Sequence, residues 1–199
     1  MHDDFTIPVE YLRLIADQLR RSNVDVDAWL RRGGLLEQPE RLLPYQTFRR
    51  LVLDALAISR EPALGLFVGE RLVATTHGMV GFAAVNSSTV RMALEIVERF
   101  SRLRTMVFAI THEVDGDEAR ILFSEVLPLG DIQRPLLEAV VLSIKNVVDA
   151  ITVGACQVRA IAFPFAAPDY APLAREIFGC QVHYDQSWAG FSVARSALE

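Results

Sequence analysis

The sequence lacks most of the features that would place it in a class at once. It has only two cysteines, Cys156 and Cys180, and neither has another Cys or a His at metal-ligand spacing. A zinc site and a disulfide-stapled scaffold are therefore poor readings, and reduced thiols in a cytoplasmic protein are the expectation. Basic charge is not in excess. Against 20 Lys and Arg stand 25 Asp and Glu, a net charge of −5, whereas a domain that grips nucleic acid by its phosphates carries the opposite balance. The opening MHDDFTIPVEYL is acidic and has no apolar core of the signal-peptide kind. There is no GxSxG, no GxxxxGK(S/T) and no strand–GxGxxG–helix, and Gly65, Gly69, Gly78 and Gly81 spell no phosphate loop. A Ser–His–Asp set can be drawn from Ser87, His77 and Asp115, but any chain of this size permits that. Nothing in these spacings supports an enzyme, a catalytic cofactor or a metal centre.

What is present is an ordinary globular balance, 51% apolar and 23% charged over 199 residues, enough for one domain with a sizeable core. The most informative stretch is Leu72 to Val90, nineteen consecutive residues without a charge (LVATTHGMVGFAAVNSSTV). It is too apolar for a surface loop. Its middle is too polar for a membrane span, because Thr75, Thr76, His77, Asn86, Ser87 and Ser88 would each need a partner in lipid. It is read as buried inside the protein, with polar groups that either pair internally or face a ligand. His77 admits both readings, an internally bonded histidine or a ligand contact. Asn86-Ser87-Ser88 is read as the cap of the helix that follows.

Helical spacing recurs through the first half. It runs over VEYLRLIADQLRRSN behind Pro8, over VDAWLRRGG after Asp25, and over YQTFRRLVLDALAISRE, then restarts after Pro62. From Val90 the chain reads as an amphipathic helix with an apolar face of Val90, Ala93, Leu94, Val97, Phe100 and Leu103. Glu95–Arg99 and Glu98–Arg102 are its expected i,i+4 pairs. Arg13, Arg20, Arg21, Arg31 and Arg32 flank short helices, but the interspersed Asp17, Asp25 and Asp27 oppose a DNA-recognition helix.

The period changes after residue 105. Met106–Val114 and Ala119–Val126 alternate as strands around Asp115-Gly116-Asp117, a strong hairpin signal. A long helix is expected from about Ile132 to Val153, lying across a sheet, with Arg134, Glu138, Lys145, Asp149 and Thr152 as one polar stripe. The tail reads as a strand Val158–Phe163, a short helix Tyr170–Phe178 stopped by Gly179, and a closing hairpin of Gln181–Tyr184 with Gly190–Val193. Phe163, Phe165, Tyr170 and Phe178 are read as core. His112 and Glu113 point to opposite faces of a strand and cannot both ligate one metal, so a solvated surface is expected there. The fold class that follows is α+β: a helical N-terminal half, 1–105, packed with a small mixed or antiparallel sheet and a long helix in 106–199.

The stretch PALGLFVGERLVATTHGMVGFAAVNSSTVRMALEIVERFSRL, Pro62 to Leu103, resembles the N-terminal effector-sensing domain of AraC-type transcription regulators, in the subgroup of ornithine- and arginine-responsive activators. The tail is similar to the same subgroup through Phe163-Pro164, Tyr170, Ile177-Phe178-Gly179, Val182, Tyr184-Asp185 and Gly190-Phe191. The resemblance covers essentially the whole chain and rests on the order of many ordinary residues. It implies a single sensing domain that binds a small-molecule effector, dimerises, needs no cofactor or metal, does not enter the membrane, and reaches DNA only through a C-terminal domain. That domain is not in this sequence, which is read as a sensor fragment or a stand-alone sensor. The effector is expected between the helical half and the sheet, near His77, Phe82, Asn86, Phe100, Arg104 and His112. Arg104 is either a carboxylate partner or a helix-end arginine. The competing reading is a protein–protein module that uses its apolar surface for dimerisation alone.

Overall fold

A computed structural model describes residues 5–35, 42–100, 107–154 and 156–199. The chain begins with a short strand β1 (Thr6–Pro8), then helix α1 (Val9–Arg21), whose Leu12, Ile15, Ala16 and Leu19 share one buried face. Helix α2 (Val26–Arg32) is capped by Asp25, whose carboxylate accepts from the Ala28 amide at 3.0 Å. Its Trp29 is fully buried and donates Nε1–H to the Leu51 carbonyl. Strand β2 (Leu42–Pro44) pairs antiparallel with β1, and helix α3 (Tyr45–Ser59) follows. The front half is therefore not purely helical. Three-residue strands are too short to show a period, and neither had a signal in the sequence.

Next come α4 (Leu64–Gly69), a 3-10 turn over Ala74–His77, α5 (Gly78–Val85) and α6 (Val90–Phe100). The expected cap of α6 shifts by one residue. Thr89 Oγ1 accepts from the Met92 amide at 3.2 Å, while Asn86 and Ser87 turn back and donate to the Phe82 and Ala83 carbonyls at the end of α5. Asn86-Ser87 thus satisfies the carbonyls left over by one helix, and Thr89 serves the amides of the next. Glu98 accepts from His112, and Arg102 lies outside the described residues.

The second half forms a five-stranded sheet in the order β3-β4-β7-β5-β6. Strands β3 (Phe108–Asp115) and β4 (Glu118–Glu125) make the expected hairpin, with Asp115 opposite Glu118. Gly116 takes φ +57° at the first position of the two-residue loop, as a type II′ turn requires. Helix α7 (Gln133–Ile151) comes next, with Pro135 in its first turn. Strand β5 (Val158–Ala162), helix α8 (Ala171–Phe178), strand β6 (Gln181–His183) and strand β7 (Gly190–Ala194) complete the chain.

The closing hairpin expected of β6 and β7 does not form. Helix α8 carries the chain back so that β6 runs parallel to β5, and β7 then crosses to lie antiparallel between β5 and β4. Strand β7 is central, and Gly190 to Val193 are all buried. Helix α7 does not simply lie across the sheet. It is packed into the helical layer, most closely on α4, and touches the sheet at β7. Buried side chains from both halves form one continuous core. Among the described residues no helix is long and apolar enough to cross a membrane.

Candidate functional site

A cavity of about 150 Å³ lies where the helical layer meets the first strand of the sheet. Its wall draws on both halves of the chain: Ile15 of α1, Phe48 of α3, Val68 of α4, Ala84 of α5, Ile110 of β3 and Val140 of α7 are representative. Among the described lining residues there is no Asp, Glu, Lys or Arg, and only Tyr11 and His77 bring side-chain polar atoms. Helix α5 explains part of this. GMVGFAAV is apolar all round, so the helix can turn Val80, Gly81 and Ala84 to the cavity while Met79, Phe82 and Ala83 face outward. The floor depends on α4 packing at backbone distance on α7: Gly65 and Gly69 sit against Pro135 and Ala139.

The polar end of the cavity is ordered by a chain of hydrogen bonds. Ser143 is fully buried on α7 and donates to the Leu72 carbonyl at 2.9 Å. Having given its one proton there, Ser143 Oγ accepts from His77 Nε2 at 2.7 Å. The other ring nitrogen, Nδ1, lies 3.2 Å from the Tyr11 hydroxyl. Helices α1 and α7, both distant in sequence, thus hold the two ring nitrogens of His77. Both sequence readings of this residue meet here: it is internally bonded, and it also lines the cavity.

Of the other residues expected near a ligand, Phe82 and Asn86 lie on the exposed face of α5. Phe100 ends α6, partly exposed, with the Arg99 guanidinium 5.3 Å from its ring. His112 on β3 is not simply solvated. It is half-buried, and its Nδ1 lies 2.6 Å from Glu98 Oε1. The structure brings none of these four into the described lining of the cavity. Arg104 lies outside the described residues. Sequence reasoning missed Tyr11 and Ser143. The second had a legible signal, a lone hydroxyl in the apolar run VVLSI of α7.

A second polar cluster sits on the side of α7 turned away from the cavity. Glu138, expected on a narrow polar stripe of α7, is fully buried, and it accepts from the Tyr170 hydroxyl at 2.9 Å. The Arg134 guanidinium lies 5.6 Å from the Tyr170 ring centroid. Glu138 Oε2 and the Tyr184 hydroxyl are buried without a hydrogen-bond partner among the described residues. Burial pushes the Glu138 carboxyl up to about 7, against the opposing effects of Tyr170 and Arg134. Burial likewise raises Tyr184 to about 12, helped by the nearby Glu138 carboxylate. Around the cluster Phe163, Phe165 and Tyr184 pack ring on ring, with Phe163 and Phe165 stacked at 4.8 Å, as core residues do. Among the described residues no group of His, Cys, Asp or Glu is placed to hold a metal ion.

An apolar cavity with one structured polar end, walled by two layers of a small α+β domain, has the layout of a small-molecule pocket. The sequence comparisons agree. Residues 24–199 match the family described as the arabinose-binding domain of AraC transcription regulators, N-terminal, and the chain belongs to that family of ligand-sensing regulatory domains. Among curated relatives it is 25% identical over 197 residues to the ornithine utilization regulator of Pseudomonas aeruginosa, covering 97% of this chain and 58% of the relative. Among solved structures it shares the fold of the transcriptional regulator CdpR from Pseudomonas aeruginosa, with a TM-score of 0.65 and 18% identity, over 96% of this chain and 56% of that one. The chain thus spans somewhat more than half the length of these relatives. The family is one of regulator domains and not of enzymes.

Proposed function

We propose that this chain is the sensing half of a cytoplasmic AraC-type transcription regulator, and that its effector binds in the cavity between the helical layer and β3. The observation that carries this reading is the cavity's composite wall. Residues from 7 to 97 and residues from 107 to 147 both contribute to it, so a bound molecule would hold the two halves in one arrangement. An effector shifts a regulator only through its different affinity for two arrangements, and a site shared by two packed layers supplies that difference. DNA contact belongs to another part of the regulator, as the acidic balance here agrees. His77 is the proposed ligand contact that the geometry supports best.

The test is to fill the cavity. Ala84 is buried on α5 and faces the space, so Ala84→Leu occupies part of it without removing any hydrogen bond. A thermal-shift screen of the chain with amino acids, fatty acids, nucleotides and small neutral compounds should find stabilising ligands whose effect is lost in Ala84→Leu. A ligand present at about a hundred times its Kd stabilises by about 2.7 kcal/mol, a shift such a screen resolves. Equal stabilisation of wild type and variant would move the site elsewhere.

Homodimerisation belongs to the same proposal. Met79 and Phe82 are 80% and 56% exposed on the outer face of α5, and a helix that is apolar all round is normally covered on all sides. Sedimentation velocity should show a dimer for the wild type and a shift toward monomer for Phe82→Asp. A monomer at all concentrations in the wild type would remove dimerisation through this face.

A further inference from the structure

We infer that Glu138 is a proton-operated latch. As the neutral acid it lets α7 close on the paired loops at residues 163–170 and 184–186, and as the carboxylate it releases them to solvent.

The loops form one unit of their own. The Phe163 amide donates to the His183 carbonyl at 2.9 Å, and the amides of Asp185 and Gln186 donate to the Phe165 and Phe163 carbonyls, both at 3.0 Å. The rings of Phe163, Phe165 and Tyr184 pack within it. The Tyr170 hydroxyl joins this unit to α7 by donating to Glu138 Oε1. The joint therefore closes on a carboxyl group with no exposed surface.

A carboxylate is poorly served in that place. Acidic side chains are almost never fully buried unless paired, and an ionised carboxylate has about four acceptor sites. Tyr170 fills one of them. Oε2 and the Tyr184 hydroxyl are both buried without a hydrogen-bond partner among the described residues. The charged and titratable groups facing Glu138 are few. Tyr170 and Tyr184 come from the loops, and Arg134 of α7 is exposed and lies over the Tyr170 ring. Arg175 of α8 stands farther off, near Tyr184. Strand β7 (GFSVA), which α7 also touches, brings no titratable side chain. With Oε1 held by Tyr170, the acid form carries its proton on Oε2. Loss of that proton leaves a buried charge that needs water, and water reaches it when the loops lift from α7.

The same helix walls the cavity. Pro135, Leu136, Ala139 and Val140, on either side of Glu138 in sequence, line it. The consequence for an effector rests on the cavity being its site, whereas the latch is read out without any ligand.

The experiment is hydrogen–deuterium exchange of the 199-residue chain, followed by mass spectrometry at pH 5.5, 7 and 8.5 and corrected for the intrinsic rate at each pH. It compares wild type, Glu138→Gln and Arg134→Gln. Each pH unit above the titration point favours the released form about tenfold. In the wild type, peptides covering 163–170 and 184–186 should exchange at least tenfold faster at pH 8.5 than at pH 5.5, with the change centred near 7, while α1 and α3 change little. Glu138→Gln keeps every other titratable group and should remove the rise. Arg134→Gln takes away an exposed cation that favours the carboxylate, so it should move the midpoint to higher pH. No rise, a rise that persists in Glu138→Gln, or an equal rise in every peptide would overturn the latch. If Glu138→Gln does not fold by circular dichroism, Arg134→Gln decides, and an unmoved midpoint overturns it.

Discussion

Replacing Gly65 by alanine is expected to lower the unfolding free energy by about 3 kcal/mol, at the upper end of what overpacking a tight contact costs. A Cβ there would lie 2.4 Å from the Pro135 carbonyl oxygen and 2.6 Å from its Cα. Both obstacles are backbone atoms, so no rotamer change relieves the clash. Helices α4 and α7 would have to move apart, and both form part of the cavity wall. The loss should appear as a lower urea midpoint at an unchanged slope. Gly69→Ala, whose Cβ would stand 3.0 Å from Ala139 Cα, should cost less, about 1 kcal/mol. Equal, small effects at the two positions would show that the helix contact is looser than drawn.

Glu138→Gln should change how stability depends on pH. The Glu138 carboxyl is held near 7 in the folded chain against 4.5 for its ordinary value. Its folded pKa is raised, so the folded state binds the proton more tightly than the unfolded one. Its contribution is thus fully present below pH 4.5 and is lost as pH rises through 7. At 1.36 kcal/mol per pH unit that loss amounts to about 3 kcal/mol. The glutamine variant keeps an acceptor for the Tyr170 hydroxyl but cannot ionise. Measured by urea unfolding, wild type and variant should be close at pH 4.5, and the variant should be the more stable by a few kcal/mol at pH 8. Parallel curves across that range would mean that Glu138 titrates normally and is better hydrated than its burial implies.

Much of the architecture was legible because it is local. Helices α1, α3 and α6 each carry a one-sided apolar face, and period alone reveals such a face. Asp115-Gly116-Asp117 announced its hairpin because a two-residue loop needs positive φ and glycine supplies it. The errors lie where partners are distant. Strands β6 and β7 are adjacent in sequence and look like a hairpin, yet β5 lies between them, because α8 had already returned the chain parallel to β5. The α6 cap was misplaced because Asn86, Ser87 and Thr89 are all good capping residues, and only geometry shows which faces back to α5.

The site shows the same division more sharply. The sequence by itself determined that Leu72 to Val90 is an uncharged segment within a folded α+β domain and that His77 is its unusual polar member. It could not determine which way α5 faces. A helix apolar all round has no period to orient it, so Phe82 and Asn86 were as plausible as Ala84 until the fold placed Ala84 inward. Tertiary structure decided the rest. It brought Tyr11 and Ser143, sixty-six residues to either side of His77, onto the two ring nitrogens, and it left beside them a space that no local interaction specifies. A cavity is what remains when several elements meet without filling the volume between them, and that depends on where each element is held by all the others.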